Sequence, residues 1–143
     1  MEPFTLNTLT STRKVANRMT LAVPLVLIVE DDPNSLYMME RYARSSGCQP
    51  LATTSGEKAL ELARQKQPDV ILLDIGLPDI LGWEVLQALR ANPLTSQIPV
   101  IICTALTVAD EALKANAGYL HKPIYYQDFV NALRDEGIEP PKA

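Results

Sequence analysis

Five side chains stand out by chemical type and by where they fall. Glu30 and Asp31 follow the apolar run Leu25–Val29, Asp74 follows Val70–Leu73, Thr104 follows Val100–Cys103, and Lys122 follows Tyr119–His121. Three carboxylates held together repel one another and lose hydration, which raises their pKa values unless a cation neutralises them. One lysine offsets only part of that charge, and a hard divalent ion offsets the rest. A few oxygen ligands with room left for water and phosphate suit Mg²⁺ better than a Ca²⁺ cage. Zinc has no ligand set, because His121 is the only histidine and Cys48 and Cys103 lack metal or redox spacing. A cation, an ammonium and a hydroxyl around one carboxylate suit phosphoryl chemistry. The positive charges offset charge on the transferring group, and the hydroxyl donates to one of its oxygens. Each residue alone reads as a solvated loop residue or a cap; their joint placement argues otherwise.

The elements that must position them alternate along the chain. Short apolar runs at Leu25–Val29, Leu51–Thr53, Val70–Leu73, Val100–Cys103 and Tyr119–His121 read as strands. Helical patterns lie between them. Asp32-Pro33 is an N-cap with proline at the first helical position, leading into Leu36, Met39 and Ala43, and Gly47 ends that helix. Thr54-x-x-Glu57 fits a capping box before Ala59, Leu60 and Ala63, with Pro68 as the stop. Gly82 opens a third helix carrying Val85, Leu86 and Leu89, stopped by Asn92-Pro93. Thr107 is expected to cap a short fourth helix with Ala109, Ala112 and Leu113. A fifth carries Phe129, Val130 and Leu133 and closes at Gly137. Five βα units of this kind predict an α/β fold, a doubly wound five-stranded parallel sheet of order 2-1-3-4-5 with helices on both faces. Its ligand crevice lies beyond the carboxyl ends of the strands. The second strand is then an edge strand, so Thr53 and Thr54 stay outside the crevice.

Composition narrows the class. A chain of 143 residues suits one domain. A net charge of −4 speaks against a dedicated nucleic-acid binder and against a polybasic membrane anchor. The runs Ala22–Val29 and Ile98–Leu106 fall far short of the roughly 18 residues of a membrane span. Two cysteines make no disulfide framework, so a reducing cytoplasm is the expected location. Residues 1–23 read as a flexible N-terminal extension, within which Met19 is an alternative start. Residues 24–137 read as the domain, and 138–143 as a tail or linker stub.

Four stretches carry a resemblance. They are Ile28-Val29-Glu30-Asp31-Asp32, Leu72-Leu73-Asp74-Ile75-Gly76-Leu77-Pro78-Asp79-Ile80-Leu81-Gly82, Pro99-Val100-Ile101-Ile102-Cys103-Thr104-Ala105 and Gly118-Tyr119-Leu120-His121-Lys122-Pro123. In this order and spacing the chain resembles a bacterial two-component response-regulator receiver domain over about residues 24–136, a flavodoxin-like fold. The resemblance implies that Asp74 accepts a phosphoryl group from a sensor histidine kinase or phosphotransfer protein. It implies that Asp31 and Asp74 bind Mg²⁺ directly, that Glu30 acts through water, and that the Gly76 carbonyl completes the protein ligands. Thr104 would hydrogen-bond the phosphoryl group, Lys122 would pair with it, and Tyr119 would follow Thr104 as the aromatic switch. Lys122-Pro123 would be a cis bond. A downstream protein target is implied but not named, and a weak homodimer is compatible with it.

Three departures from the family pattern matter. Thr104 and Lys122 lie 18 positions apart, short of the usual interval by about four residues, or one helical turn. The fourth helix is therefore expected to be short, on the face through which such domains usually signal. Tyr125-Tyr126 replace a capping Ser, Thr or Asp, and Leu81 replaces a polar residue before Gly82. Trp83 is expected half-buried, His121 as a satisfied strand residue, Cys103 as core and Cys48 as a loop thiol. Two other readings compete. An aspartyl-phosphate hydrolase would carry a second Asp two residues after the nucleophile, where this chain has Gly76. A non-phosphorylated interaction module would keep the fold without the chemistry; the full set Glu30, Asp31, Asp74, Thr104 and Lys122 speaks against it.

Overall fold

The computed structural model of the protein describes residues 22–139. The expected N-terminal extension falls almost wholly outside the described residues, as do residues 140–143 of the expected tail.

Five strands, β1 (Leu25–Val29), β2 (Gln49–Thr53), β3 (Val70–Asp74), β4 (Val100–Thr104) and β5 (Gly118–His121), form one sheet of order β2-β1-β3-β4-β5. All four pairings are parallel. The helices between and after them are α1 (Pro33–Ser45), α2 (Gly56–Lys66), α3 (Gly82–Ala91), α4 (Ala109–Lys114) and α5 (Tyr126–Asp135). The sheet is covered on both faces, which is why its strands read as continuous apolar runs and not as alternating ones.

The two-residue period of the strands sorts their side chains into two cores. Leu27, Val29, Ile71, Leu73, Val100 and Ile102 pack against Ala59 and Ala63 of α2, Val85, Leu86 and Leu89 of α3, and Ala112 of α4. Val26, Ile28, Val70, Leu72, Ile101 and Cys103 pack against Met39 and Ala43 of α1 and Phe129 and Leu133 of α5. Ile138, read from sequence as the first tail residue, is buried in this second core, and its N–H donates to the Leu133 carbonyl.

Local chemistry sets the helix ends. Asp32 caps α1, accepting from the Ser35 N–H at 2.9 Å, with Pro33 in the first turn. Gly47 follows with φ +87°, a backbone conformation open to glycine at no steric cost. The expected capping box at Thr54 is displaced by one residue. Ser55 is the N-cap of α2, accepting from the Lys58 N–H, and Glu57 sits in the first turn without closing a box. Thr107 does not cap α4 either: the helix starts at Ala109 behind Val108, with no side-chain cap. Cys48 is not a loop thiol but part of the second core, with the Ser46 hydroxyl 3.7 Å from its sulfur. His121 pairs with Thr104 in the ladder at the end of edge strand β5, while its side chain stands exposed with its ring tilted against Tyr119 and makes no hydrogen bond among the described residues. An edge strand leaves such a ring to solvent.

The return from β3 into α3 is the tightest place in the fold. The Gly82 N–H donates to the Ile75 carbonyl at 2.9 Å. A Cβ on Gly82 would lie 2.4 Å from Ile75 Cα and 2.7 Å from the Asp74 carbonyl oxygen. Both neighbours are backbone and cannot swing aside. Gly82→Ala is therefore expected to cost about 1–3 kcal/mol, the range for forced overpacking. Urea unfolding of the variant checks this; wild-type stability in Gly82→Ala would contradict it.

Candidate functional site

The strand order delivers the five side chains to one rim. β1, β3, β4 and β5 are neighbours, and each ends within a residue of Glu30, Asp74, Thr104 or Lys122. Register keeps the ends level: Val29 pairs with Leu73, Asp74 with Cys103 and Thr104 with His121. Asp31 comes next to Glu30 just before the α1 cap. As expected for an edge strand, β2 sends Thr53 outside this set.

Lys122 Nζ reaches between the two innermost acids. It donates to Glu30 Oε1 and, at 3.3 Å, to Asp74 Oδ2. Asp74 Oδ1 accepts from the Gly76 N–H at 3.1 Å, which fixes the rotation of the carboxylate. Glu30, Asp31 and Asp74 each offer an oxygen within 4.8 Å of the others. Glu30 is fully buried, and among the described residues its Oε2 finds no hydrogen-bond donor. A buried carboxylate oxygen without a partner costs on the order of 1–3 kcal/mol or more. The donor set, three carboxylates with one oxygen unsatisfied, fits a hard divalent cation such as Mg²⁺.

The electrostatics agree. Burial pushes the Glu30 carboxyl up to about 7, and the neighbouring Asp74 pushes the same way, against the pull of Lys122. Burial also works to raise Asp74. There the Glu30 carboxyl, the Gly76 N–H and Lys122 outweigh it, and Asp74 lies below the ordinary carboxylate range. Burial works to lower Lys122, but the two carboxylates beside it hold it above the usual lysine value. Asp74 is thus an ionised carboxylate with one oxygen pinned by an N–H and the other facing an ammonium.

Thr104 is buried, and its Oγ1 accepts from the Leu106 N–H at 3.2 Å. The Leu106 carbonyl accepts in turn from the Tyr119 hydroxyl at 2.6 Å. Tyr119 is therefore tied to the loop after Thr104 by one short hydrogen bond, while the Leu106 side chain is 63% exposed. The expected short fourth helix is present: α4 has six residues. Lys122-Pro123 is cis. Both tyrosines of the pair are exposed, Tyr125 more so; Tyr126 packs edge-on against Tyr42 at 5.4 Å. Trp83 is half-buried beside the first core.

One residue at this rim was assigned no role from sequence. Asp79, in the loop between β3 and α3, accepts from the Gly56 N–H at 3.0 Å, the Glu57 N–H at 3.1 Å and the Ser55 hydroxyl at 2.9 Å. It closes the amino end of α2 from outside that helix. A local pattern could not show this, because the partners lie more than 20 residues apart in sequence.

The architecture and the rim define a class: a doubly wound parallel α/β domain with a cluster of carboxylates and a lysine at its strand ends. The response regulator receiver domain family matches residues 26–134. The chain belongs to that family, the receiver domains of two-component systems. It is 34% identical over 113 residues to the polar-differentiation response regulator DivK of Brucella ovis, covering 76% of this chain and 92% of that one. Among solved structures it is similar to the receiver domain of a sensor histidine kinase from Pseudomonas aeruginosa, with 30% identity and a TM-score of 0.73 over 82% of this chain and all of that one. That structure holds a magnesium ion coordinated in its active site cleft. Similarity extends to the chemotaxis protein CheY4 of Vibrio cholerae, with 25% identity and a TM-score of 0.74 over 80% of this chain and 98% of that one. Among the described residues no helix is long and apolar enough to cross a membrane.

Asp79 yields a pH signature. Hydrogen bonds from the Gly56 and Glu57 N–H groups hold its carboxyl down at about 2. A carboxylate depressed in the folded state stabilises above its unfolded value, near 3.9, and loses that contribution as pH falls through the folded value. The stability difference between wild type and Asp79→Asn should therefore be flat from pH 5 to 8 and shrink between about pH 4 and 2. Denaturant unfolding across pH measures it; a difference that changes between pH 6 and 8 instead would contradict the assignment.

Proposed function

We propose that Asp74 is the phosphoacceptor of a two-component signalling switch. The observation that carries the proposal is the pinning of Asp74, with Oδ1 on the Gly76 N–H and Oδ2 facing Lys122, inside a crevice with two further carboxylates. The donor would be a phosphohistidine on a histidine kinase or phosphotransfer protein. An Asp74 oxygen attacks phosphorus, the P–N bond breaks, and the imidazole leaves with that electron pair. Lys122 then pairs with the new phosphoryl oxygens, which relieves its hold on Glu30. The Thr104 hydroxyl donates to another of those oxygens.

Glu30, Asp31, Asp74 and the Gly76 carbonyl would hold Mg²⁺, which when bound supplies positive charge against the oxygens of the transferring group. Movement of Thr104 towards the phosphoryl group pulls on the Leu106 N–H that it accepts from, and through the Leu106 carbonyl on Tyr119. That chain of two hydrogen bonds makes Tyr119 the reporter of the state of Asp74. In this reading the domain is a signalling element and not a turnover enzyme: it assists only its own phosphorylation and dephosphorylation. It works in the cytoplasm and passes its state to a protein target by contact.

Incubation with acetyl phosphate and Mg²⁺, followed by Phos-tag electrophoresis, tests the proposal. Wild type should show one retarded band that depends on Mg²⁺, and Asp74→Asn should show none. Labelling of Asp74→Asn at the wild-type rate would overturn the assignment. A wild type that takes up no phosphate would favour the non-phosphorylated interaction module, the reading to which the six-residue α4 points.

A further inference from the structure

The loop that carries Gly76 is fastened to a helix on which the chemistry does not otherwise depend. Residues 75–81 leave β3 and return to α3 through the Gly82-to-Ile75 hydrogen bond. In the middle of that return, Asp79 takes three hydrogen bonds from the amino end of α2. One residue on, Ile80 lies over Gly56: a Cβ on Gly56 would fall 2.2 Å from Ile80 Cγ2 and 3.3 Å from Leu77 Cδ1. The absent side chain of Gly56 is thus the seat for Ile80, and the ends of both loops interlock. Ser55 is shared, since its hydroxyl donates to Asp79 and accepts from the Lys58 N–H.

We propose that Asp79, with Ile80 seated on Gly56, is a positioning latch that couples the Mg²⁺-binding loop to the amino end of α2. The proposal rests on the reading of Gly76 as a metal ligand. A loop of this length held only at its ends samples many conformations, and each must be given up when its carbonyl joins a metal. The latch removes those conformations beforehand. Coupling of this kind is reciprocal: whatever the latch adds to Mg²⁺ affinity, bound Mg²⁺ must add to the latch. Occupancy of the acidic crevice is therefore felt at Ser55, Gly56 and Glu57, on the face opposite to α1 and α5. With α4 cut to six residues, this gives the domain a second place where its state is legible to a partner.

The experiment is a Mg²⁺ titration followed by amide NMR, with hydrogen exchange at Gly56 and Glu57, on wild type, Asp79→Ala and Ile80→Ala. Ile80→Ala leaves every hydrogen bond to the amino end of α2 in place, so it stays informative if Asp79→Ala folds poorly. Both variants should bind Mg²⁺ about fivefold more weakly, at the lower end of common coupling strengths. In wild type, Mg²⁺ should slow exchange at Gly56 and Glu57 severalfold, and in Asp79→Ala it should leave them unchanged. A merely structural role for Asp79 would lower protection in both states without making it depend on Mg²⁺. Wild-type affinity in both variants overturns the latch. So does a wild type in which Gly76 responds to Mg²⁺ while Gly56 and Glu57 do not. A wild type in which no residue responds to Mg²⁺ overturns the metal reading itself, and the latch with it.

Discussion

One ammonium serves too many carboxylates. Lys122 lies between buried Glu30 and Asp74, with Asp31 beside them. Charges this close and this dry interact strongly, and unpaired ones are expensive to bury. The fold accommodates the imbalance by raising Glu30 towards 7 and keeping Asp74 ionised. That division leaves an ionised carboxylate beside a carboxyl oxygen that finds no donor among the described residues. The site is thus under-neutralised by construction, and the rest of the molecule can be understood as what holds it in that condition.

Holding it takes the whole sheet. Four adjacent parallel strands end level, so that side chains from Glu30 to Lys122, 92 positions apart, share one crevice. The carbonyl and N–H of Gly76 are placed by a loop whose base is clamped at Gly82 and whose crest is fastened to α2 by Asp79. The hydroxyl of Thr104 is connected through Leu106 to Tyr119, so the same crevice has a lead to the edge strand. Packing makes these connections stiff. The strand ends are fixed by two cores of interdigitated side chains, and a displacement at Thr104 has no soft place in β4 to dissipate.

Much of this was legible in residue order. Continuous apolar runs imply strands covered on both faces, and the acids, hydroxyl and ammonium that follow four of them imply a common rim. Short-range chemistry was also readable, as at Asp32-Pro33 and Gly47. What escaped depended on contacts distant in sequence. Asp79 shows no role in residue order because its partners, Ser55 to Glu57, precede it by more than 20 positions. The cap of α2 was misplaced for a related reason: Thr54 fits the pattern, but Ser55 is the residue whose hydroxyl is held by Asp79. Cys48 follows Gly47 and reads as loop, yet the chain turns inward there and buries its sulfur in the α1–α5 core.

Everything built on the acidic crevice requires it to be a cation site in the folded chain. The most direct test is the unfolding free energy as a function of Mg²⁺ concentration. A ligand that binds only the folded state raises that free energy by about 1.4 kcal/mol for each tenfold increase above its dissociation constant. Wild type should show this slope, and Asp31→Asn should show it only at higher concentrations, because one of three carboxylate ligands has lost its charge. A wild-type stability that does not change with Mg²⁺, or that changes identically in Asp31→Asn, would contradict the account.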